Sequence, residues 1–205
     1  MIEARLLAAG ISRIAGVDEA GRGAAAGPLV IAAVILKDPN DAKLSEVRDS
    51  KTLSPTRREV LSDLILTLAS SYSIITIDAT EIDDLGLQRC NIEGMRRAIE
   101  ALNPAAEYVL SDGYPIPGLV APNLAIWKGD QVALTVSAAS ILAKVARDRI
   151  MSELDSRYPG YGLADHKGYG TAAHQSAIAS LGVTEIHRRS FANVAALLNK
   201  GASST

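Results

Sequence analysis

A mixed α/β fold is predicted by three observations. Short aliphatic runs end in turns marked by glycine or proline. These runs alternate with stretches whose apolar residues recur at helical spacing. The composition, 48% hydrophobic with only 4% aromatic, calls for an aliphatic, alanine-rich core of the kind that suits helices packed on a sheet better than a small β-barrel. At 205 residues the chain fits one domain with a small C-terminal elaboration.

The elements follow in order. Ile14–Asp18 reads as a short strand and Leu29–Leu36 as a longer buried one, closed by the turn sequence KDPND. Ser54 and Pro55 are placed as N-cap and first residue of a helix whose apolar face is Leu61, Leu64, Ile65 and Leu68. YSIITIDAT forms a third strand. A helix over about 87–102 sets Ile92, Met95, Ile99 and Leu102 on one face. EYVLSDG is a fourth strand ending in Asp112, and NLAIWKGD a fifth ending near Asp130. A long helix spans roughly 134–157. The remainder is loop-rich, with a helix near 171–181. The first two strands, joined by a short turn, should pair antiparallel, whereas later strands separated by helices can run parallel.

Composition also excludes. A formal charge of −2 argues against a polycation that coats nucleic acid, so any such binding needs a local basic patch or bound cations. Cys90 is the only cysteine, which rules out an internal disulfide and suits a reducing cytoplasm. The N-terminus lacks the pattern of a signal peptide, and the longest apolar run is too short to span a bilayer. A cytoplasmic monomer that does not engage membranes is expected.

Carboxylates gather at strand ends: Asp18 with Glu19, Asp112 in SDG, and Asp130 in KGD, each accompanied by glycine. Strand ends can converge at one edge of a sheet although they lie far apart in sequence. Like charges brought together raise one another's pKa, and a divalent cation removes that cost. Oxygen-only ligands select Mg²⁺ or Mn²⁺ over zinc. Two such ions roughly 3.5–4 Å apart activate water and stabilise the leaving oxygen of a phosphodiester. Alternation would turn only one of Asp18 and Glu19 inward, so the strand must bend for both to reach one site. His166, His174 and His187 match no compact zinc motif and are expected as polar surface or locally hydrogen-bonded residues.

The loop GRGAAAG resembles a dinucleotide-binding turn, but a strand follows it where that motif needs a helix, and an oxidoreductase is rejected. Gly21 and Gly23 around Arg22 would instead let backbone groups approach a sugar–phosphate and test for a 2′-hydroxyl.

Taken in order, AGVDEAGRG…AGPLVIAAVIL, DSKTL, SDG, KGD…SAASILAKVARD, HKGYGTAAH and GVTEIHRRSF resemble the ribonuclease HII family, the type 2 ribonucleases H of the bacterial kind, from about Ile14 to Phe191. The resemblance implies a ribonuclease H-like fold: a five-stranded mixed sheet flanked by helices, with a core over about 14–157 and a helical substrate-binding part over about 158–200. It implies cleavage of RNA in RNA–DNA hybrids and incision 5′ of ribonucleotides embedded in duplex DNA, leaving 3′-hydroxyl and 5′-phosphate ends. Carried over residue by residue, Asp18, Glu19, Asp112 and Asp130 are its metal-binding acids and Gly21, Arg22 and Gly23 its ribonucleotide-contacting loop. Tyr169 is the tyrosine that packs on the next sugar and favours deoxyribose there. Where the family commonly has proline after this loop, the chain has Ala24, Ala25 and Ala26, which leaves the loop more backbone freedom.

Basic and hydroxyl residues complete the expected surface. Lys51 precedes a helix, Ser140 and Lys144 share a face of the long helix with Ser137, and Arg188 and Arg189 in HRRS are placed either to meet phosphates or to cap and solvate a helix end. A resolvase-like nuclease would share the acids without needing the glycine loop or Tyr169. A non-catalytic hybrid-binding module would not need four acids.

Overall fold

The computed structural model describes residues 2–202, apart from the side chains of residues 48–52 and 199–202. The predicted α/β architecture is present. After helix α1 (Ile2–Ala8) come strands β1 (Ile14–Ala20) and β2 (Leu29–Leu36), a 3₁₀ segment over Ala42–Thr52, helix α2 (Pro55–Leu68) and strand β3 (Ala69–Ile77). Helices α3 (Ala79–Leu85) and α4 (Leu87–Glu100) precede strands β4 (Tyr108–Asp112) and β5 (Asn123–Ile126). The short α5 (Gly129–Val132), the long α6 (Leu134–Arg157), then α7 (Leu163–His166), α8 (Ala172–Leu181) and α9 (Ala192–Ala202) complete the chain.

The five strands form one sheet in the order β3-β2-β1-β4-β5. β1 pairs antiparallel with β2 and parallel with β4, and β4 pairs parallel with β5. The C-terminal ends of β1, β4 and β5 therefore share one edge. β3 runs antiparallel to β2 although a helix separates them, because Leu36 pairs with Ala69 and the intervening chain leaves and re-enters at the same end. Among the described residues no helix is long and apolar enough to cross a membrane.

Alternation divides the core. Ala15, Val17 and Val109 pack with Cys90, Met95 and Ile99 of α4 on one face of the sheet. Ala20, Ala32 and Val34 pack with Ala138, Ile141 and Leu142 of α6 on the other. Ser54 caps α2 as expected, its hydroxyl accepting from Arg57 N at 3.3 Å. The third strand starts and ends three residues earlier than YSIITIDAT, its end set at Ile77 because the Asp78 carboxylate accepts from Glu81 N at 2.8 Å and starts α3 instead.

α6 begins without a capping side chain of its own, since Ala133 occupies that position. A residue from the far end of the chain supplies it: the buried Glu3 carboxylate accepts from Thr135 N at 3.0 Å and from the Thr135 hydroxyl at 3.2 Å. A negative group there also complements the helix dipole. Glu3→Ala is expected to lower stability by about 1–2 kcal/mol, read as a lower urea midpoint with an unchanged m value. An unaltered midpoint would show that the cap contributes nothing.

Candidate active site

Asp18 and Glu19 sit near the end of β1, but the strand does not bend there. Its register with β2 continues regularly through Asp18↔Ala32, Glu19↔Ile31 and Ala20↔Val30. Adjacent acids therefore leave opposite faces of the sheet. Asp18 shares the α6 face and hydrogen-bonds with Ser140, whereas Glu19 shares the α4 face and meets Asn91. They still lie near enough for the Glu19 charge to act on Asp18.

Asp112 ends β4 directly beside them, and its Oδ1 accepts from Gly129 N at 2.7 Å. Asp130 is not at a strand end. β5 stops at Ile126, Lys128 takes a left-handed backbone with φ 55°, and Asp130 lies in the first turn of α5, almost completely buried. The Asp112–Gly129 hydrogen bond ties that turn back to the acid cluster.

Burial is the chief electrostatic influence. It pushes the Asp18 carboxyl well above the ordinary aspartate range, with repulsion from Glu19 and Asp112 adding and the Ser140 hydroxyl opposing. Glu19 is pushed up to about 7 by burial, against the attraction of Arg22 and with further repulsion from Asp112. Among the described residues no three acid, imidazole or thiol side chains stand close enough to hold an ion as they are. Closer approach would increase like-charge repulsion that only a cation offsets. The donor set suits a hard divalent cation nonetheless. It is all oxygen, and Glu19 Oε2 is buried without a hydrogen-bond partner.

A carboxylate must lose its proton before it ligates, so affinity for Mn²⁺ is expected to rise as pH climbs through about 7. In the metal-free fold Glu19 retains a proton that the unfolded chain releases near 4.5, so its contribution to stability falls from about pH 4.5 to about pH 7. Melting the metal-free protein and its Glu19→Gln variant across that range, with Mn²⁺ calorimetry at both ends, checks both statements. Parallel curves for the two proteins would contradict them.

Beside the acids lies a cleft of about 350 Å³ lined by Glu19, Gly21, Arg22, Gly23, Ser140, Lys144 and Tyr169. It also takes in Arg58 of α2, which carries no motif that would mark it in the sequence. Gly21 has φ +83°, and a Cβ there would lie 1.8 Å from the Arg147 Nε, so glycine is required twice over. Arg22 reaches back to Gln88 at 2.8 Å and lies over the Tyr114 ring at 5.0 Å. Lys144 pairs with Asp148 at 2.7 Å one turn along α6. Ser137 is turned away from the cleft: it is buried, and its hydroxyl donates to the Val47 carbonyl. The Lys51 side chain lies outside the described residues.

Two expectations need correction. Arg188 is no phosphate contact. It is fully buried, donating to the Gly27 carbonyl at 3.0 and 3.2 Å and to the Arg22 carbonyl at 2.9 Å. The alanine loop is not loose either. Ala24, Ala25 and Ala26 are buried, and Ala25 N and Ala26 N both donate to the Gly168 carbonyl, at 2.9 and 3.1 Å. Small side chains let the loop lie flat against its neighbours, and hydrogen bonds supply the restraint that proline would have supplied.

Arg147 and Asn91 were missed. Arg147 is fully buried behind the loop, donating to the Pro28 carbonyl at 3.0 Å and the Ala26 carbonyl at 3.2 Å, with Tyr169 over it at 5.6 Å. Its signal was present in the sequence. Position 147 continues the inward-facing series Val136, Ala139 and Ala143 of α6, where a charge needs a reason. Asn91 is fully buried on α4 beside Glu19, a polar residue on the face that otherwise carries Met95 and Ala98.

A family model described as Ribonuclease HII matches residues 15–194. The chain belongs to the ribonuclease HII family. Ribonuclease HII of Cutibacterium acnes is 52% identical over 192 residues, covering 94% of each chain. That of Corynebacterium jeikeium is 53% identical over 196 residues, covering 95% of this chain and 94% of its own. The crystal structure of ribonuclease H2 from Pyrococcus horikoshii superposes with a TM-score of 0.80 at 28% identity, covering 92% of this chain and 98% of that one. The expected ribonuclease H-like architecture is therefore the observed one. As a ribonuclease HII the chain is an enzyme, a type 2 ribonuclease H, in a family of divalent-metal-dependent hydrolases.

Proposed function

We propose that this ribonuclease H cleaves the RNA strand of RNA–DNA hybrids and incises 5′ of single ribonucleotides embedded in duplex DNA, leaving 3′-hydroxyl and 5′-phosphate ends. One observation carries the reading: the cleft that opens on Glu19 is lined by the Gly21–Gly23 loop and by Tyr169 together. An enzyme that only needed to hydrolyse a phosphodiester would have no use for that pairing.

Asp18, Glu19, Asp112 and Asp130 are the residues that would hold divalent ions, Mg²⁺ or Mn²⁺. Two bound ions would supply a lowered pKa for the attacking water and neutralisation of charge on the departing 3′ oxygen. The remaining work belongs to the chain. Main-chain groups of Gly21 and Gly23, free of any side chain, recognise the 2′-hydroxyl on one side of the scissile bond. The Tyr169 ring, 41% exposed, packs on the next sugar and disfavours a hydroxyl there. Lys144, Ser140 and Arg58 border the cleft and position backbone phosphates without reading bases; Lys51 is assigned the same role from its sequence position. No histidine lines the cleft, so proton transfer does not fall to an imidazole.

On this reading residues 14–157 carry the chemistry and 158–200 complete substrate binding, in a cytoplasmic monomer acting on nucleic acid. The decisive experiment offers three duplexes of one sequence in Mn²⁺ or Mg²⁺: all DNA, DNA with one ribonucleotide, and an RNA–DNA hybrid. Cutting on the 5′ side of the lone ribonucleotide, with the all-DNA duplex left intact, is the expected result. Equal cutting of the all-DNA duplex would point to a resolvase-like nuclease, and metal-independent binding without scission to a passive module.

A further inference from the structure

The three histidines converge, and of the two expectations for them, polar surface or local hydrogen bonding, the second is the one met. His174 and His187 are fully buried. His166 stacks on His174 with ring centroids 4.4 Å apart, and His174 Nε2 lies 3.3 Å from His187 Nε2. Their hydrogen bonds admit one arrangement of protons. Thr184 N–H, which can only donate, points at His187 Nδ1 from 3.1 Å, so that nitrogen carries a lone pair. The proton of a neutral His187 is then on Nε2, and it is donated to His174 Nε2. His174 in turn must carry its proton on Nδ1, which faces the Tyr169 carbonyl at 3.1 Å. Donation runs one way from Thr184 through both rings to Tyr169. A proton added to either ring would set N–H against N–H in a dry contact.

Both ends of this relay reach substrate-facing loops. Tyr169 belongs to one. At the other end His187 bridges antiparallel to Ala26, and its neighbour Arg188 donates from N to the Ala25 carbonyl at 2.9 Å and from Nη1 to the Arg22 carbonyl at 2.9 Å. The two loops are thus joined through a pair of rings whose span is invariant as long as the pair stays neutral and in one tautomer.

We infer that His174 and His187 are positioning residues for ribonucleotide recognition: they hold Tyr169 at a set distance from the Gly21–Gly23 loop and so determine how strictly a ribose–deoxyribose junction is preferred. This rests on the roles given above to Tyr169 and the loop. The surroundings keep the pair uncharged. His187 faces His174, the Tyr161 ring at 5.2 Å and the charge of Arg189, and burial first and His174 second push it down to about 4. Burial likewise lowers His174, with His166 adding to the effect and the Tyr169 and Gly168 backbone opposing it.

Two measurements on the full chain test the inference. ¹⁵N spectra of the imidazoles should show His174 protonated on Nδ1 and His187 on Nε2, both neutral at pH 7 and His187 still neutral at pH 5. Mixed tautomers, or titration of either ring near 6.5, would overturn the relay. The second measures kcat/KM for a single-ribonucleotide duplex relative to a long hybrid. Misplacing Tyr169 in His174→Ala should cut that preference about tenfold. His174→Asn, whose amide can still donate to the Tyr169 carbonyl, should restore most of it. Tyr169→Ala is the control. If it leaves the preference unchanged, the reading of Tyr169 fails. If it lowers the preference while His174→Ala does not, the reading stands and the positioning role is lost.

Discussion

Hydrolysis by Asp112→Asn is expected to fall a thousandfold or more, on the order of 4 kcal/mol in activation free energy, while hybrid binding stays near its normal strength. The asparagine carbonyl can still accept from Gly129 N, the bond that Asp112 Oδ1 makes at 2.7 Å, so the turn carrying Asp130 keeps its place. What disappears is one negative charge and one ligand oxygen at the sheet edge. Because Asp112 is among the charges that raise the carboxyls of Asp18 and Glu19, both should ionise more readily in the variant. Single-turnover cleavage with saturating Mn²⁺, together with fluorescence anisotropy of a labelled hybrid, separates chemistry from binding. Turnover within a few-fold of the parent would remove Asp112 from the reacting centre.

Gly16→Ala should be the more damaging change to the fold, although it adds a single methyl group. Gly16 lies in the middle of β1, where α6 crosses so closely that a Cβ would stand 2.0 Å from the carbonyl carbon of Thr135 and 2.4 Å from Val136 N. Those are backbone atoms, so no rotamer change relieves the overlap, and the strand and helix must part. Separation would draw Asp18 away from Ser140 and loosen the Glu3 cap at Thr135. A loss of at least about 3 kcal/mol is expected, against a total of roughly 5–15 kcal/mol for an ordinary domain. Urea unfolding measures it, and a variant within 1 kcal/mol of the parent, as about that margin is usual for volume-neutral swaps, would show that the helix is free to shift.

Much of this molecule was legible before folding because the signals are local. The second strand, the cap of α2 and the long helix coincide with their predicted ranges, since apolar period, capping chemistry and proline placement act over a few residues. Asp112 at a strand end is of the same kind. The misreadings share a different origin. LAIWKG reads as extended as far as Asp130, and only the left-handed Lys128 ends the strand early. Arg188 resembled a phosphate ligand because HRRS is polar, yet three carbonyl contacts from a loop more than 160 residues away keep it inside. Arg147 was concealed in the same way, its partners being Ala26 and Pro28.

The amino-acid order by itself determined the element types, the oxygen-rich chemistry at the strand ends and the side-chain-free approach at Gly21 and Gly23. Only the tertiary structure decided that Asp18 and Glu19 project from opposite faces of one sheet, that buried arginines brace the glycine loop, and that three histidines gather, two joined by a hydrogen bond and the third stacked on them. The reason is physical. Conformational preference is set by near neighbours along the chain, whereas the desolvation and hydrogen bonding of a polar group are set by whatever packs against it, and here those partners come from remote segments.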